Sequence, residues 1–169
     1  MCLQLLLKPE NGPTLLFTIL DMQGKMAFEL KGEVLPFGCR CILRTPDGKT
    51  AARLNGVCIP GSFQYTAVHG SHRVRMRVHP DSLHRPVMFK GMPWRFRGNL
   101  VTRSFDVVED VPGDSTTRVV MAHDRCWTAG RNCYALTIPR SADVPLAVCV
   151  AAALDSSVQT GCFSPVPAG

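Results

Sequence analysis

Apolar and polar residues alternate with a period of two along most of the chain. Leu15, Phe17 and Ile19 interleave with Leu16, Thr18 and Leu20. After Asp21-Met22-Gln23-Gly24, Met26, Phe28 and Leu30 interleave with Lys25, Ala27, Glu29 and Lys31. Alternation interrupted by a glycine-containing turn predicts a β-hairpin with one wet face. The plan repeats, with a strand over 39–44, the turn Thr45-Pro46-Asp47-Gly48 and a return strand over 49–55. Residues 58–62 read as a loop and 63–68 as a strand. Over 72–79, Val74, Met76 and Val78 share one face while Arg73, Arg75 and Arg77 share the other. Strands over 87–90 and 94–97 are expected to pair, and strands over 103–109 and 116–122 flank an acidic turn from Glu109 to Asp114. Short strands over 3–7 and 133–138 complete about twelve.

One stretch breaks this pattern. From Val144 to Leu154 no side chain is charged or strongly polar. Asp143 before it can cap a helix start by accepting orphan backbone N–H groups. Pro145 falls in the first turn, where its missing N–H costs nothing. Asp155, Ser156 and Ser157 end the run, so a helix is predicted over 143–158. A helix that is apolar all round must be surrounded. It is too short to cross a bilayer, which takes about 20 apolar residues, so the chain's own sheet must wrap it. A sandwich leaves only about 10 Å between its sheets, no room for a helix about 10 Å across. A closed antiparallel barrel of this strand number can hold one. The predicted fold is therefore mainly β, a closed barrel of about twelve strands around one buried hydrophobic C-terminal helix.

The length of 169 residues fits one domain with a substantial core, expected over 1–163 with a flexible tail at 164–169. Hydrophobic residues make up 46%, which excludes a disordered chain. The net charge of +6 favours anionic partners, although it also fits a merely soluble basic protein. Eight cysteines (Cys2, Cys39, Cys41, Cys58, Cys126, Cys133, Cys149, Cys162) show no Cys-x-x-Cys pair. The segment 1–8 is too short for a secretory signal. Reduced thiols in a cytoplasmic or nuclear protein, with peripheral membrane association as a further option, are the expectation.

Three segments resemble the tubby-like C-terminal superfamily, and within it most closely the LURP-one-related family, with the phospholipid scramblases as cousins. The first is the hairpin from Phe17 to Gly32. The second is Trp94-Arg95-Phe96-Arg97-Gly98-Asn99 before Phe105-Asp106-Val107-Val108. The third is Tyr134-Ala135-Leu136-Thr137-Ile138-Pro139, followed by Asp143 and the apolar helix ending Leu154-Asp155. The resemblance implies a twelve-stranded barrel enclosing a hydrophobic helix. It implies function only loosely: tubby domains bind phosphoinositides and are described as membrane-tethered transcription regulators, scramblases are associated with calcium and lipid movement, and LURP-one-related proteins are linked to plant defence. The chain carries no scramblase-like proline-rich region or cysteine cluster and no tubby terminal signature. Neither scramblase activity nor a tubby-type pocket is expected, and no family site residue carries over.

The candidate chemistry lies in the basic residues Arg73, Arg75, Arg77, Lys90, Arg95, Arg97 and Arg103. Alternation turns Arg73, Arg75 and Arg77 outward on one strand, and Arg95 and Arg97 outward on another. If those strands are neighbours, five guanidinium groups form a patch suited to phosphate, which arginine can hold bidentately. No helix-turn-helix, finger or stacking motif supports nucleic acid. His69 and His72 stand at a spacing that suits a metal only on a helix, and neither they nor His79, His84 and His123 have supporting ligands. The turn from Glu109 to Asp114 lacks the alternating ligands of an EF-hand, and no P-loop occurs. No catalytic signature, cofactor or metal is expected. The sequence points to a non-enzymatic barrel whose outer basic face takes an anionic phospholipid, with a protein-interaction module as the alternative.

Overall fold

The structure, a computed structural model, describes residues 1–10, 14–79, 82, 85–125 and 133–159. The predicted turn Asn11-Gly12-Pro13, His84, Cys126, Cys162 and the tail 164–169 lie outside the described residues. Twelve strands and a helix follow in order: β1 (Cys2–Pro9), β2 (Leu15–Asp21), β3 (Met26–Leu35), β4 (Gly38–Arg44), β5 (Thr50–Ile59), β6 (Ser62–His69), β7 (His72–Val78), β8 (Val87–Lys90), β9 (Trp94–Asn99), β10 (Ser104–Asp110), β11 (Thr117–Arg125), β12 (Tyr134–Pro139) and α1 (Val144–Gln159). They form one antiparallel sheet in the order β8-β7-β6-β5-β4-β3-β2-β1-β12-β11-β10-β9. The sheet curls until its two edges, β8 and β9, touch. Phe89 and Trp94 meet edge to face there, with ring centroids 6.0 Å apart. The result is a nearly closed barrel.

Two local expectations are corrected. Strands β8 and β9 do not pair with each other; β8 pairs with β7 and β9 with β10. Their link is Gly91-Met92-Pro93, and Gly91 adopts φ +93°. A Cβ on Gly91 would stand 2.5 Å from the Arg73 carbonyl oxygen, so only glycine fits. The Trp94 N–H donates back to the Met92 carbonyl at 2.8 Å, and Pro93 has no N–H to offer a ladder. The seam is therefore closed by side-chain contact. The stretch 58–62 is not a loop either: β5 continues to Ile59, β6 starts at Ser62, and these two residues pair directly. A tight Pro60-Gly61 turn joins them, with Gly61 at φ +79°.

Inside the barrel, Leu5, Leu7, Ile19, Leu30, Leu43, Leu54, Val74 and Leu136 point inward and are essentially inaccessible. From Leu146 to Leu154 every helix residue is 0% exposed. The helix contacts β5, β6 and β7 on one side and β11 and β12 on another. Alanines at 147, 151, 152 and 153 keep its girth small, and Cys149 acts as a small hydrophobe. Burial pushes the Cys149 thiol up to about 12, well away from a reactive thiolate.

The helix start is tied to the β6–β7 hairpin. Asp143 accepts from the Leu146 N–H at 3.1 Å, as an N-cap does. The same carboxylate meets Nδ1 of His69 and Nδ1 of His72, each at 2.8 Å. Burial works to raise the Asp143 carboxyl, but the hydrogen bonds from His72, His69 and Leu146 outweigh it and hold the group below its usual range. His69 and His72, the pair weighed for a metal, thus converge on the helix cap.

A charge placed mid-helix has nowhere to go, because every side of α1 is covered. Leu146→Asp or Val148→Asp should leave the protein unfolded at room temperature, the penalty exceeding a typical stability margin of about 5–15 kcal/mol; far-UV circular dichroism and thermal melts check this. Asp143→Ala removes the cap and the histidine tie. It should cost about 1–2 kcal/mol, read as a lower urea midpoint with an unchanged denaturant slope.

Candidate functional site

Register fixes which outward side chains are neighbours. One row runs Arg40, Asn55, Thr66, Arg75, Lys90 across β4 to β8. On one side of it lies Ile42, Arg53, Val68, Arg73; on the other, Val57, Gln64, Arg77, Met88. Arg40, Arg53, Arg73, Arg75, Arg77 and Lys90 are all exposed. Adjacent strands lie about 4.8 Å apart, within reach of long cationic side chains on neighbouring strands. Arg75 and Lys90 are direct cross-strand partners, an arrangement of like charges that costs free energy. Among the described residues no carboxylate lies within ion-pair distance of Arg40, Arg53, Arg73, Arg75 or Lys90. Arg40 and Arg53 escaped the sequence reading. Their outward parity was visible in the alternation, but membership of this face depends on register across three strands.

Arg95 and Arg97 sit on β9, across the β8–β9 seam from that row, and each has a carboxylate. Arg95 binds Asp110 through Nη2 at 2.6 Å and Nε at 3.0 Å. Those hydrogen bonds and the Asp110 charge raise the Arg95 guanidinium above its ordinary value. Arg97 donates to Asp106 at 2.8 Å, its direct cross-strand partner.

Arg103 leaves the outer face altogether. It adopts φ +59°, just before β10, and its side chain is only 15% exposed. It donates to the Tyr134 hydroxyl, and its guanidinium lies 5.0 Å from the Tyr134 ring centre. Its Nε stands 3.7 Å from Oδ1 of Asp155, the acid that ends the apolar run and is fully buried. His123, also fully buried, is sandwiched between Phe105 at 4.5 Å and Tyr134 at 4.9 Å. Its Nδ1 donates to the Arg103 carbonyl at 2.7 Å. In the neutral ring that leaves Nε2 as an acceptor, 3.7 Å from Asp155 Oδ1. Two acceptors face each other there, which favours a proton between them. Burial pushes Asp155 up to about 6 and His123 down to about 4. Charged residues inside a barrel are rare without partners, and alternation alone gives no sign that Asp155 turns inward.

These two groups make opposite contributions to stability on acidification. For Asp155, folded above its usual 3.8, the contribution is present at low pH and fades as pH rises through about 6. For His123, folded below its usual 6.5, it is present above 6.5 and fades as pH falls through about 4. Asp155→Asn removes the first alone. Relative to the unmodified protein, the variant should lose about 2 kcal/mol between pH 7 and pH 4.5, measured by urea unfolding at both values.

Three comparisons bear on kinship. The family model described as LURP-one-related matches residues 14–155, from the approach to β2 through the buried Asp155 of α1. An X-ray structure of an Arabidopsis thaliana protein is similar with a TM-score of 0.58 at 16% identity, covering 92% of this chain and 90% of that one; at that identity the likeness concerns the fold alone. No curated protein matches. With most of the barrel and helix inside the matched span, the chain belongs to the LURP-one-related family.

Proposed function

We propose that this barrel is a non-enzymatic module that binds anionic phospholipid headgroups, phosphoinositides among them, through the outer face of β7 and β8. Arg73, Arg75, Arg77 and Lys90 form the centre of that face, and Arg40 and Arg53 extend it. The observation that carries the reading is the direct pairing of Arg75 with Lys90, with no carboxylate within ion-pair distance of either among the described residues. Cations held side by side at a cost become favourable when a phosphate lies across them. Enzymatic chemistry is disfavoured because α1 fills the lumen where a small substrate would otherwise bind. No helix among the described residues is long and apolar enough to cross a membrane. The proposal is peripheral attachment at the cytoplasmic side of a membrane, consistent with a regulatory rather than a transport role.

Each cation near an anionic surface contributes about 1 kcal/mol. Replacing Arg73, Arg75 and Arg77 together by Gln should weaken co-sedimentation with phosphoinositide-containing vesicles about a hundredfold and flatten its salt dependence. Replacing Arg95 and Arg97 by Gln should change it little, since Asp110 and Asp106 already neutralise them. Vesicle binding indifferent to the triple replacement would exclude this face. Salt-sensitive capture of a protein partner without any lipid would favour the protein-interaction reading instead.

A further inference from the structure

The antiparallel order sorts the surface residues into two ends of the barrel. The β3–β4, β5–β6 and β9–β10 turns lie at one end; the β2–β3, β4–β5, β6–β7 and β10–β11 turns lie at the other, with the start of α1. Large exposed apolar residues are divided unequally between them. Leu35, Phe37, Val57, Ile59, Met88 and Val101 belong to the first end; only Met1 and Met22 belong to the second, among the described residues. Phe37 is 77% exposed and Val101 70%.

These are not scattered single residues. Leu35 pairs with Gly38, Gly38 with Val57, Val57 with Gln64, Gln64 with Arg77, and Arg77 with Met88. Gly38 has no side chain to separate Leu35 from Val57. Phe37 sits at the tip of the same hairpin, its carbonyl accepting from the Cys58 N–H at 2.8 Å. Leu35, Phe37 and Val57 thus lie close together, while Gln64 and Arg77 separate them from Met88; an exposed apolar cluster of this kind is a candidate interaction site. The row next to the apolar one carries Arg40, Arg75 and Lys90, with Glu33 opposite Arg40; at the opposite end Asp47 and Asp110 are ion-paired with Lys49 and Arg95, so positive charge left without a carboxylate partner among the described residues lies beside the apolar residues.

We propose that the barrel docks end-on to an anionic bilayer, with Phe37, Leu35, Val57 and Ile59 entering the boundary between headgroups and acyl chains. This rests on the lipid-binding reading above and adds its depth and orientation. The basic rows then lie at headgroup level, where guanidinium groups meet phosphates, and the end that holds the start of α1 points away from the membrane. Apolar burial and charge attraction add in this geometry, as they do for interfacial helices. A protein partner or a second copy of the chain would also cover an apolar end. The cationic rows beside that end complement an anionic lipid surface, whereas a second copy would bring the same cations against them.

The test uses vesicles of phosphatidylcholine, with and without phosphatidylserine. Phe37→Ser combined with Ile59→Ser should weaken partitioning onto the anionic vesicles about tenfold and leave its salt dependence intact; Met22→Ser, at the other end, should leave both unchanged. Phe37→Trp should gain fluorescence quenched by brominated acyl chains, and Met22→Trp should not. Quenching at Met22→Trp alone, or full partitioning of the double serine variant, would overturn the orientation while lipid binding stands. A parent protein that binds neither vesicle would overturn the lipid reading and this one together. A dimer in solution that the double variant dissociates, with no quenching at Phe37→Trp, would assign the end to self-association.

Discussion

A helix with no polar side is the requirement around which this chain is built. Each residue from Leu146 to Leu154 is fully inaccessible, so removing any part of the wall would expose apolar surface at about 25 cal/mol per Å². Only a sheet curled right round meets that requirement. Curling in turn demands that the strands keep a continuous row of large apolar residues inside. The two carboxylates that bracket the greasy run then act as end stops. Asp143 is held by His69, His72 and the Leu146 N–H, and Asp155 faces Arg103 and His123. A helix sliding along the lumen would lose polar contacts at both ends at once, so its depth is specified as well as its enclosure.

Because the interior is filled, the proposed recognition falls to the outside. The barrel interior offers packing and one small polar cluster, and the outer face offers a patterned array of side chains at strand spacing. That pattern follows from the same alternation that makes the core: Val74, Met76 and Val78 seal the helix, which obliges Arg73, Arg75 and Arg77 to face outward. Fold and candidate site are two faces of one strand.

The architecture was legible because its signals are local. Period-two alternation marked the strands, and the unbroken apolar run marked the helix to within a residue or so of Val144–Gln159. What stayed hidden depends on relations between distant segments. The β8–β9 pair failed because strand-like composition says nothing about a link whose glycine is pressed against Arg73. Arg103 looked like another outward cation because no local pattern shows a turn residue folding back under Tyr134. Asp155 ends the apolar run, and nothing local shows that its carboxylate stays inside. Arg40 and Arg53 lay in plain alternation, but only the register joins them to Arg75 and Arg73 as one surface.

The barrel contains its own comparison for the significance of the basic face. On β9 to β11 Arg97 stands directly opposite Asp106, and Arg118 directly opposite Glu109. Both pairs close into ion pairs, as does Arg95 with Asp110. On β7 and β8 the residue directly opposite Arg75 is Lys90. The same strand geometry is thus used in two ways within one sheet, once to cancel charge and once to accumulate it. Solubility would be served equally by either arrangement. Accumulation on one flank of the barrel, continuous with its apolar end, concentrates positive potential where an anionic surface can meet it.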